Sequence, residues 1–281
     1  MRLASFSADG RASYGVVEDT GIRDLGAVAG SKWPTLRSML AAGAVAETSV
    51  LDAPTLASDD VTFLPVIPDA GKIFCVGINY ASHIAETGRD TPEKPMLFVR
   101  FADSQVGHGQ PMVKPMESDK FDFEGELAVV IGRAGRRIST NDALAHVAGY
   151  TCYNDGSIRD WQRHTSQFTA GKNFSGTGGC GPWLVTADDI PDPSTLRLET
   201  RLNGQVMQAA PISDLVFDVP ALISYCSTFT TLNPGDIIIT GTTGGVGLFR
   251  DPPVWLKDGD LVEVEIDGIG TLSNPIVAES L

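Results

Sequence analysis

The sequence predicts a mostly-β (α+β) chain, folded as a compact roll or sandwich behind a small N-terminal unit. Three observations carry that reading. From Lys72 onward, short apolar runs are punctuated by Gly, Pro and Asp, as strands and their turns are. Helical patterns are few, which argues against a doubly wound α/β sheet. The segment Phe63-Leu64-Pro65-Val66-Ile67-Pro68 holds two prolines, which favour an extended connector and divide the chain into residues 1–68 and 69–281.

The N-terminal unit has an alternating stretch at Tyr14-Gly15-Val16-Val17 and a helical candidate from Thr35 to Ala44, with no cluster of chemically capable side chains. In the larger unit the predicted strands are Ile73–Val76, Met96–Arg100, Glu126–Ile131, Tyr150–Tyr153, Trp183–Thr186, Leu196–Leu202, Ile237–Thr240 and Leu261–Ile266. Predicted helices are Asn141–Val147, a short piece near Ile158–His164, and Val219–Phe229.

Composition excludes several classes of partner. With 281 residues, 42% hydrophobic and 20% charged, the chain has enough apolar material for a sizeable core. A net charge of -14 repels phosphate backbones and anionic lipid, so neither nucleic acid nor a membrane surface is expected as a partner. An anionic substrate would need local positive charge from Lys, Arg or a bound cation. No signal-like h-region or membrane-length apolar run occurs, so a cytoplasmic location is expected. Cys75, Cys152, Cys180 and Cys226 show no CxxC spacing and read as small core residues.

The most informative segment is Phe121-Asp122-Phe123-Glu124-Gly125-Glu126-Leu127-Ala128-Val129-Val130-Ile131. On a strand, Glu124, Glu126, Ala128 and Val130 share one face, and Leu127, Val129 and Ile131 the other. Both faces are apolar, so the strand is buried and its two carboxylates need a counter-charge. An exposed strand end would instead place both in water. A third carboxylate, Asp155, ends the apolar run Gly149–Asn154; if the two strands pair, three oxygen ligands converge. Such a set suits one Mg²⁺ or Mn²⁺ ion per chain.

A second constellation is Asn79-Tyr80-Ala81-Ser82-His83-Ile84-Ala85-Glu86-Thr87-Gly88. Asn79 can cap a short helix and Gly88 can end it, which puts His83 and Glu86 on one face at i and i+3. A carboxylate beside an imidazole fixes its tautomer for general-base work; on an exposed helix the pair would simply be solvated. The stretch Thr91-Pro92-Glu93-Lys94-Pro95 would suit a mobile lid. Arg100, Arg159 and Lys172 are candidates for local positive charge. The Gly-rich run Thr240–Gly247 follows an apolar strand but lacks the GK[ST] of a phosphate loop, which disfavours nucleotide.

In order along the chain, Gly77-Ile78-Asn79-Tyr80 with His83 and Glu86, the Phe123–Gly132 strand, Asn154-Asp155-Gly156-Ser157-Ile158-Arg159-Asp160-Trp161-Gln162, Lys172, Gly181-Pro182-Trp183 and Thr240-Gly241-Thr242 resemble the fumarylacetoacetate hydrolase family over residues 72–276. The nearest likeness is to its bacterial acylpyruvase-like, 2-oxo-acid hydrolase branch. The resemblance implies a mixed β-roll and a homodimer, with Glu124, Glu126 and Asp155 as metal ligands. It implies His83 and Glu86 as a water-activating dyad on a lid, with Lys172, Gln162 and Thr242 as substrate contacts. Arg100 stands where many relatives have Lys, and Thr243 replaces the Pro of the TGTP turn.

The activity expected is catabolic hydrolysis of a C–C bond in a 2,4-dioxo acid of acylpyruvate type. His83, oriented by Glu86, takes a proton from the water that attacks C4, and the ion stabilises the departing pyruvate enolate. Lys172 neutralises or protonates that charge, while Arg100 and Arg159 contact the acid. Oxaloacetate decarboxylation would use the same site without an attacking water, and hydration or isomerisation of a 2-oxo acid would share the scaffold. A non-catalytic metal-dependent small-acid-binding protein is the reading from another class.

Overall fold

The computed structural model describes residues 1–88 and 90–280. The chain is mostly β. Its centre is a 12-stranded sheet whose path runs Thr55–Leu56, Gly21–Asp24, Arg11–Glu18, Arg2–Ala8, Gly178–Thr186, Val147–Asp155, Gly125–Ile131, Ile237–Thr242, Ile73–Gly77, Met96–Val99. A second, five-stranded sheet orders Gln205–Pro211, Arg197–Leu202, Leu261–Ile266, Gly270–Ala278, Met112–Lys114.

The alternation in Gly125–Ile131 explains the layering. Leu127, Val129 and Ile131 enter one apolar cluster with Phe74, Val76 and Ile238, which the helix Val219–Phe229 and Leu198, Val264 and Ile266 of the smaller sheet cover. Ala128 and Val130 enter the opposite cluster with Ile73, Cys75, Ile237 and Ile239, which Leu25, Leu36 and Met39 of the N-terminal segment cover. Each strand therefore presents apolar side chains to both faces, as a sheet buried on both sides requires. The first 68 residues extend the large sheet through Arg2↔Val185 and Leu3↔Leu184 and share the second cluster with it.

Most predicted elements form, with longer strands where ladders continue them: Val147–Asp155 and Gly178–Thr186 each run nine residues. Asn141–Val147 is not a helix. Only a 3-10 turn, Ala143–His146, forms there, because Val147 is already drawn into the ladder opposite Ile131. Asn79 is not a cap either. Tyr80 holds that position, while the buried Asn79 amide donates to Phe217 O (2.9 Å) and Thr240 O (2.7 Å) and accepts from Phe217 N (2.8 Å).

The topology gathers chemistry at one edge of the large sheet. Ile237–Thr242 runs parallel to Ile73–Gly77 and antiparallel to Gly125–Ile131, which is antiparallel to Val147–Asp155. Gly77, Thr242, Gly125 and Asp155 therefore lie at the same end.

Candidate metal centre and active site

Pairing of Gly125 with Asn154 and Glu126 with Tyr153 brings Asp155 beside the two glutamates, and Asp155 N–H donates to Glu124 O at 2.8 Å. One oxygen each from Glu124, Glu126 and Asp155 lies within 4.8 Å of the others. The three side chains are 5%, 2% and 0% exposed, so the exposed-strand-end alternative does not hold.

Charge at this edge is dense and unequal. Lys172 Nζ lies 2.6 Å from both Glu124 Oε2 and Asp155 Oδ2. Arg159 reaches Glu124 Oε1 at 2.6 Å and Asp122 Oδ2 at 2.7 Å. Arg100 reaches Asp155 Oδ1 at 2.6 Å. Four buried carboxylates (Asp122, Glu124, Glu126, Asp155) thus face three buried cations, and one negative charge is in excess. It falls on Glu126, whose one partner among the described residues is the Gly241 N–H.

That imbalance separates the two glutamates. Burial raises the Glu124 carboxyl, but Arg159 and Lys172 outweigh it and hold its pKa down to about 2. For Glu126, burial is joined by repulsion from Asp155 and Glu124, and its pKa is raised well above the usual carboxylate range. Burial pushes the Lys172 ammonium down, but Asp155 and Glu124 reverse this and its pKa ends raised, so the side chain is held in its protonated form. Three convergent oxygen donors, one lacking a counter-charge, fit a hard divalent ion such as Mg²⁺ or Mn²⁺.

A bulge aims the Gly241 amide. Glu126 pairs with Thr242 but Ala128 with Ile239, so Ile237–Thr242 carries one extra residue between them. Gly241 sits at φ +108°, and a Cβ there would lie 2.8 Å from Asn79 Cβ and 3.0 Å from Val76 O. Only glycine fits, and its N–H turns onto the Glu126 side chain. Nearby Ile78, a β-branched residue at φ +58°, lines the pocket in a conformation it would not choose alone, with the Asn79 amide clamped on its C-terminal side.

The helix Ala81–Thr87 closes one wall, and Gly88 at φ +65° ends it as expected. His83 Nδ1 lies 3.2 Å from Glu86 Oε2, and Glu86 Oε1 accepts the Gly245 N–H at 2.6 Å. The carboxylate is thereby held between ring and turn, and His83 Nε2 has no hydrogen-bond partner among the described residues. Phe249 packs edge-on against the ring at 5.9 Å. His83, Glu124, Glu126, Arg159, Gln162, Lys172 and Thr242 all line one pocket of about 160 Å³, small beside the roughly 300–1,000 Å³ of drug-sized sites.

Two expected substrate contacts have another first partner. Thr242 Oγ1 donates to Gly125 O (3.0 Å) and accepts from Gln208 (2.7 Å); Gln162 Oε1 accepts from Arg159 (3.1 Å). Arg100, expected at the substrate, stands behind Asp155 instead. Its guanidinium is taken up by Asp155, Gly156 O, Thr177 and Ser104, out of the pocket lining. Asp122 was not singled out. It anchors Arg159 and accepts the N–H groups of Gly247 (2.8 Å) and Leu248 (3.0 Å), fixing the loop that carries Phe249. Its signal was the alternation that gives Glu124 and Glu126, continued one step back. The four cysteines are buried free thiols, and no described helix is long and apolar enough to cross a membrane.

Residues 72–277 match the Fumarylacetoacetate (FAA) hydrolase C-terminal family. Oxaloacetate tautomerase FAHD2A, mitochondrial, of Bos taurus is 46% identical over 226 residues, 80% of this chain and 72% of that protein. Among solved structures, a fumarylacetoacetate hydrolase from psychrophilic Exiguobacterium antarcticum aligns over 99% of this chain and all of its own, with a TM-score of 0.87 and 37% identity. A maleylpyruvate hydrolase from Sphingobium sp. SYK-6, in complex with manganese(II) and pyruvate, aligns over the full length of both chains with a TM-score of 0.82 and 29% identity.

Proposed function

This chain belongs to the fumarylacetoacetate hydrolase family, and from that premise we propose that it is a divalent-metal-dependent enzyme of small 2-oxo acids, with keto–enol tautomerisation of oxaloacetate as its best-supported reaction. The observation that carries this is the triad of buried carboxylates, of which Glu124 and Glu126 line a small pocket with a proton donor and a proton acceptor on its walls. The 46% identity to an oxaloacetate tautomerase favours this outcome over others on the same site.

Glu124, Glu126 and Asp155 would hold the ion, which when bound supplies Lewis-acid polarisation of the substrate oxygens. The protein side chains then move the protons. Tautomerisation of the enol adds a proton at C3 and removes one from the O2 hydroxyl. Lys172, held as an ammonium, is the donor toward C3. His83, with Nδ1–H directed to Glu86, offers Nε2 to the hydroxyl proton. Arg159, Gln162 and Thr242 orient the acid against the floor.

Hydrolysis of an acylpyruvate is the second reading. The His83–Glu86 dyad favours it, because a base tied to a carboxylate on the wall suits activation of water. The purified chain with Mn²⁺ should accelerate loss of oxaloacetate enol absorbance without releasing pyruvate, and EDTA should abolish the effect. His83→Ala should lower the rate about a hundredfold or more while keeping the Mn²⁺-induced thermal shift. An unchanged enol decay would sink the tautomerase reading, and cleavage of acylpyruvates in its place would install the second.

A further inference from the structure

Gly125 alone separates Glu124 from Glu126, so the torsions at that glycine set how the two carboxylates stand to each other. Glycine is the freest hinge a chain can have, and here it is held from outside its own sheet. Gly125 N–H donates to Gln208 Oε1 at 3.0 Å, Gln208 Nε2 donates to Thr242 Oγ1 at 2.7 Å, and Thr242 Oγ1 donates to Gly125 O at 3.0 Å, which closes a ring of hydrogen bonds about the glycine. A further bond, from Gln208 Nε2 to Thr243 O at 2.9 Å, ties that ring to the Gly-rich turn. The amide can stand only one way round, since Gly125 N–H must meet an acceptor and Thr243 O a donor.

Gln208 is 1% exposed and comes from Gln205–Pro211 of the five-stranded sheet, where it stands opposite Thr200 in the ladder. Thr200 presses on the same point: a Cβ at Gly125 would lie 1.9 Å from its Oγ1. That hydroxyl makes no hydrogen bond among the described residues. Packing from the smaller sheet thus demands a glycine, and the Gln208 amide supplies the restraint that a glycine lacks.

We propose that Gln208 is a positioning residue of the metal centre: acting through Gly125 and Thr242, it locks the peptide between Glu124 and Glu126 in the geometry that binds a divalent ion. This rests on the metal-dependent reading above and deepens it. Arg159 and Lys172 hold the oxygens of Glu124, but no cation holds those of Glu126, so the aim of Glu126 depends on its backbone. Without the amide, the buried Gly125 N–H loses its acceptor, and the peptide turns toward another at the expense of ligand alignment.

The test reads the ion rather than turnover. Mn²⁺ is titrated calorimetrically into the metal-free full chain, below the melting temperature of each variant, so that lost stability alone leaves the Kd where it is. Gln208→Met keeps the length of the side chain and removes its hydrogen bonds, and is expected to weaken Mn²⁺ at least about tenfold. Thr242→Val opens the same ring while Gln208 keeps Thr243 O, and should weaken Mn²⁺ by a smaller factor, about threefold. Thr200→Val touches the same glycine with no hydrogen bond to lose, and should stay within about twofold. An unchanged Kd in Gln208→Met, or equal weakening in Thr200→Val, overturns the positioning role; should Gln208→Met not fold, an unchanged Kd in Thr242→Val overturns it instead. A wild-type chain that binds no Mn²⁺ overturns the metal reading itself, a result distinct from any the variants give.

Discussion

Glu126→Gln tests the central electrostatic claim, because the structure assigns it opposite consequences with and without metal. The carboxylate is 2% exposed, has the Gly241 N–H as its partner, and faces the ligand oxygens of Glu124 and Asp155. The amide has the same shape, keeps an oxygen for Gly241, and replaces a buried carboxyl whose ionisation no counter-cation supports. Metal-free stability should therefore hold to within about 1 kcal/mol or rise. With Mn²⁺ at a hundred times its Kd, the wild type gains about 2.7 kcal/mol. Losing one of three ligands should weaken the ion at least as much as the roughly 100-fold seen when a supporting partner is lost, leaving about 0.4 kcal/mol at the same concentration. At roughly 2 °C per kcal/mol for a chain of this length, an Mn²⁺ shift of about 5 °C should shrink to under about 1 °C. Differential scanning fluorimetry in EDTA and in Mn²⁺ reads both arms. A variant that melts well below wild type in EDTA, or that keeps the full Mn²⁺ shift, would refute the assignment of Glu126 as the uncompensated ligand.

Gly241→Ala must place a Cβ at φ +108° against Asn79 and Val76 O, and is expected to cost about 2–4 kcal/mol in urea unfolding. A loss below about 0.5 kcal/mol would mean the bulge is not sterically fixed. Arg100→Leu strips Asp155 of a guanidinium that no water reaches, and should cost about 3–5 kcal/mol in chemical denaturation without metal. A substrate contact at the mouth of a pocket would instead leave stability near wild type and raise KM, and that result would restore the role first expected for Arg100.

How much of this was legible in the sequence depended on whether the partner lay along the chain or across the fold. The Phe121–Ile131 strand was readable because alternation alone decides its two faces, and Glu124 and Glu126 follow from it. Convergence with Asp155 needed only one strand pairing, which a second apolar run supplied. Asp122 obeys the same alternation, but its partners are the backbone amides of Gly247 and Leu248, more than a hundred residues away, and no local pattern announces them. The side on which Arg100 lies was equally hidden: it is set by where Met96–Val99 leaves the sheet edge and by Thr177 across the fold. The helix expected at Asn141–Val147 shows local preference losing to the ladder, since Val147 cannot both continue a helix and face Ile131.

The distribution of charge also explains why the triad alone does not choose a reaction. Glu126 and Asp155 sit on strands buried on both faces and Glu124 stands just before one of them, so their positions are set by packing and would hold an ion whichever reaction follows. The choice lies with the wall, where His83 rides on a seven-residue helix fastened to the Gly-rich turn by Glu86 to Gly245 and by Ser82 against Thr243 at 3.0 Å. While those contacts hold, Phe249 stands against the imidazole and, with Leu248 on the same pocket wall, would restrict the space in which a water could reach C4. Under that cover proton exchange between substrate, Lys172 and His83 needs no third reactant, whereas hydrolysis does. Loosening the latch, as Ser82→Ala would by removing both its Thr243 contact and its acceptance of the Gly244 N–H, should therefore raise any hydrolytic rate relative to tautomerisation. Parallel assays with an acylpyruvate and with oxaloacetate enol measure that ratio, and a ratio unmoved by the substitution would mean that cover over His83 does not govern the outcome.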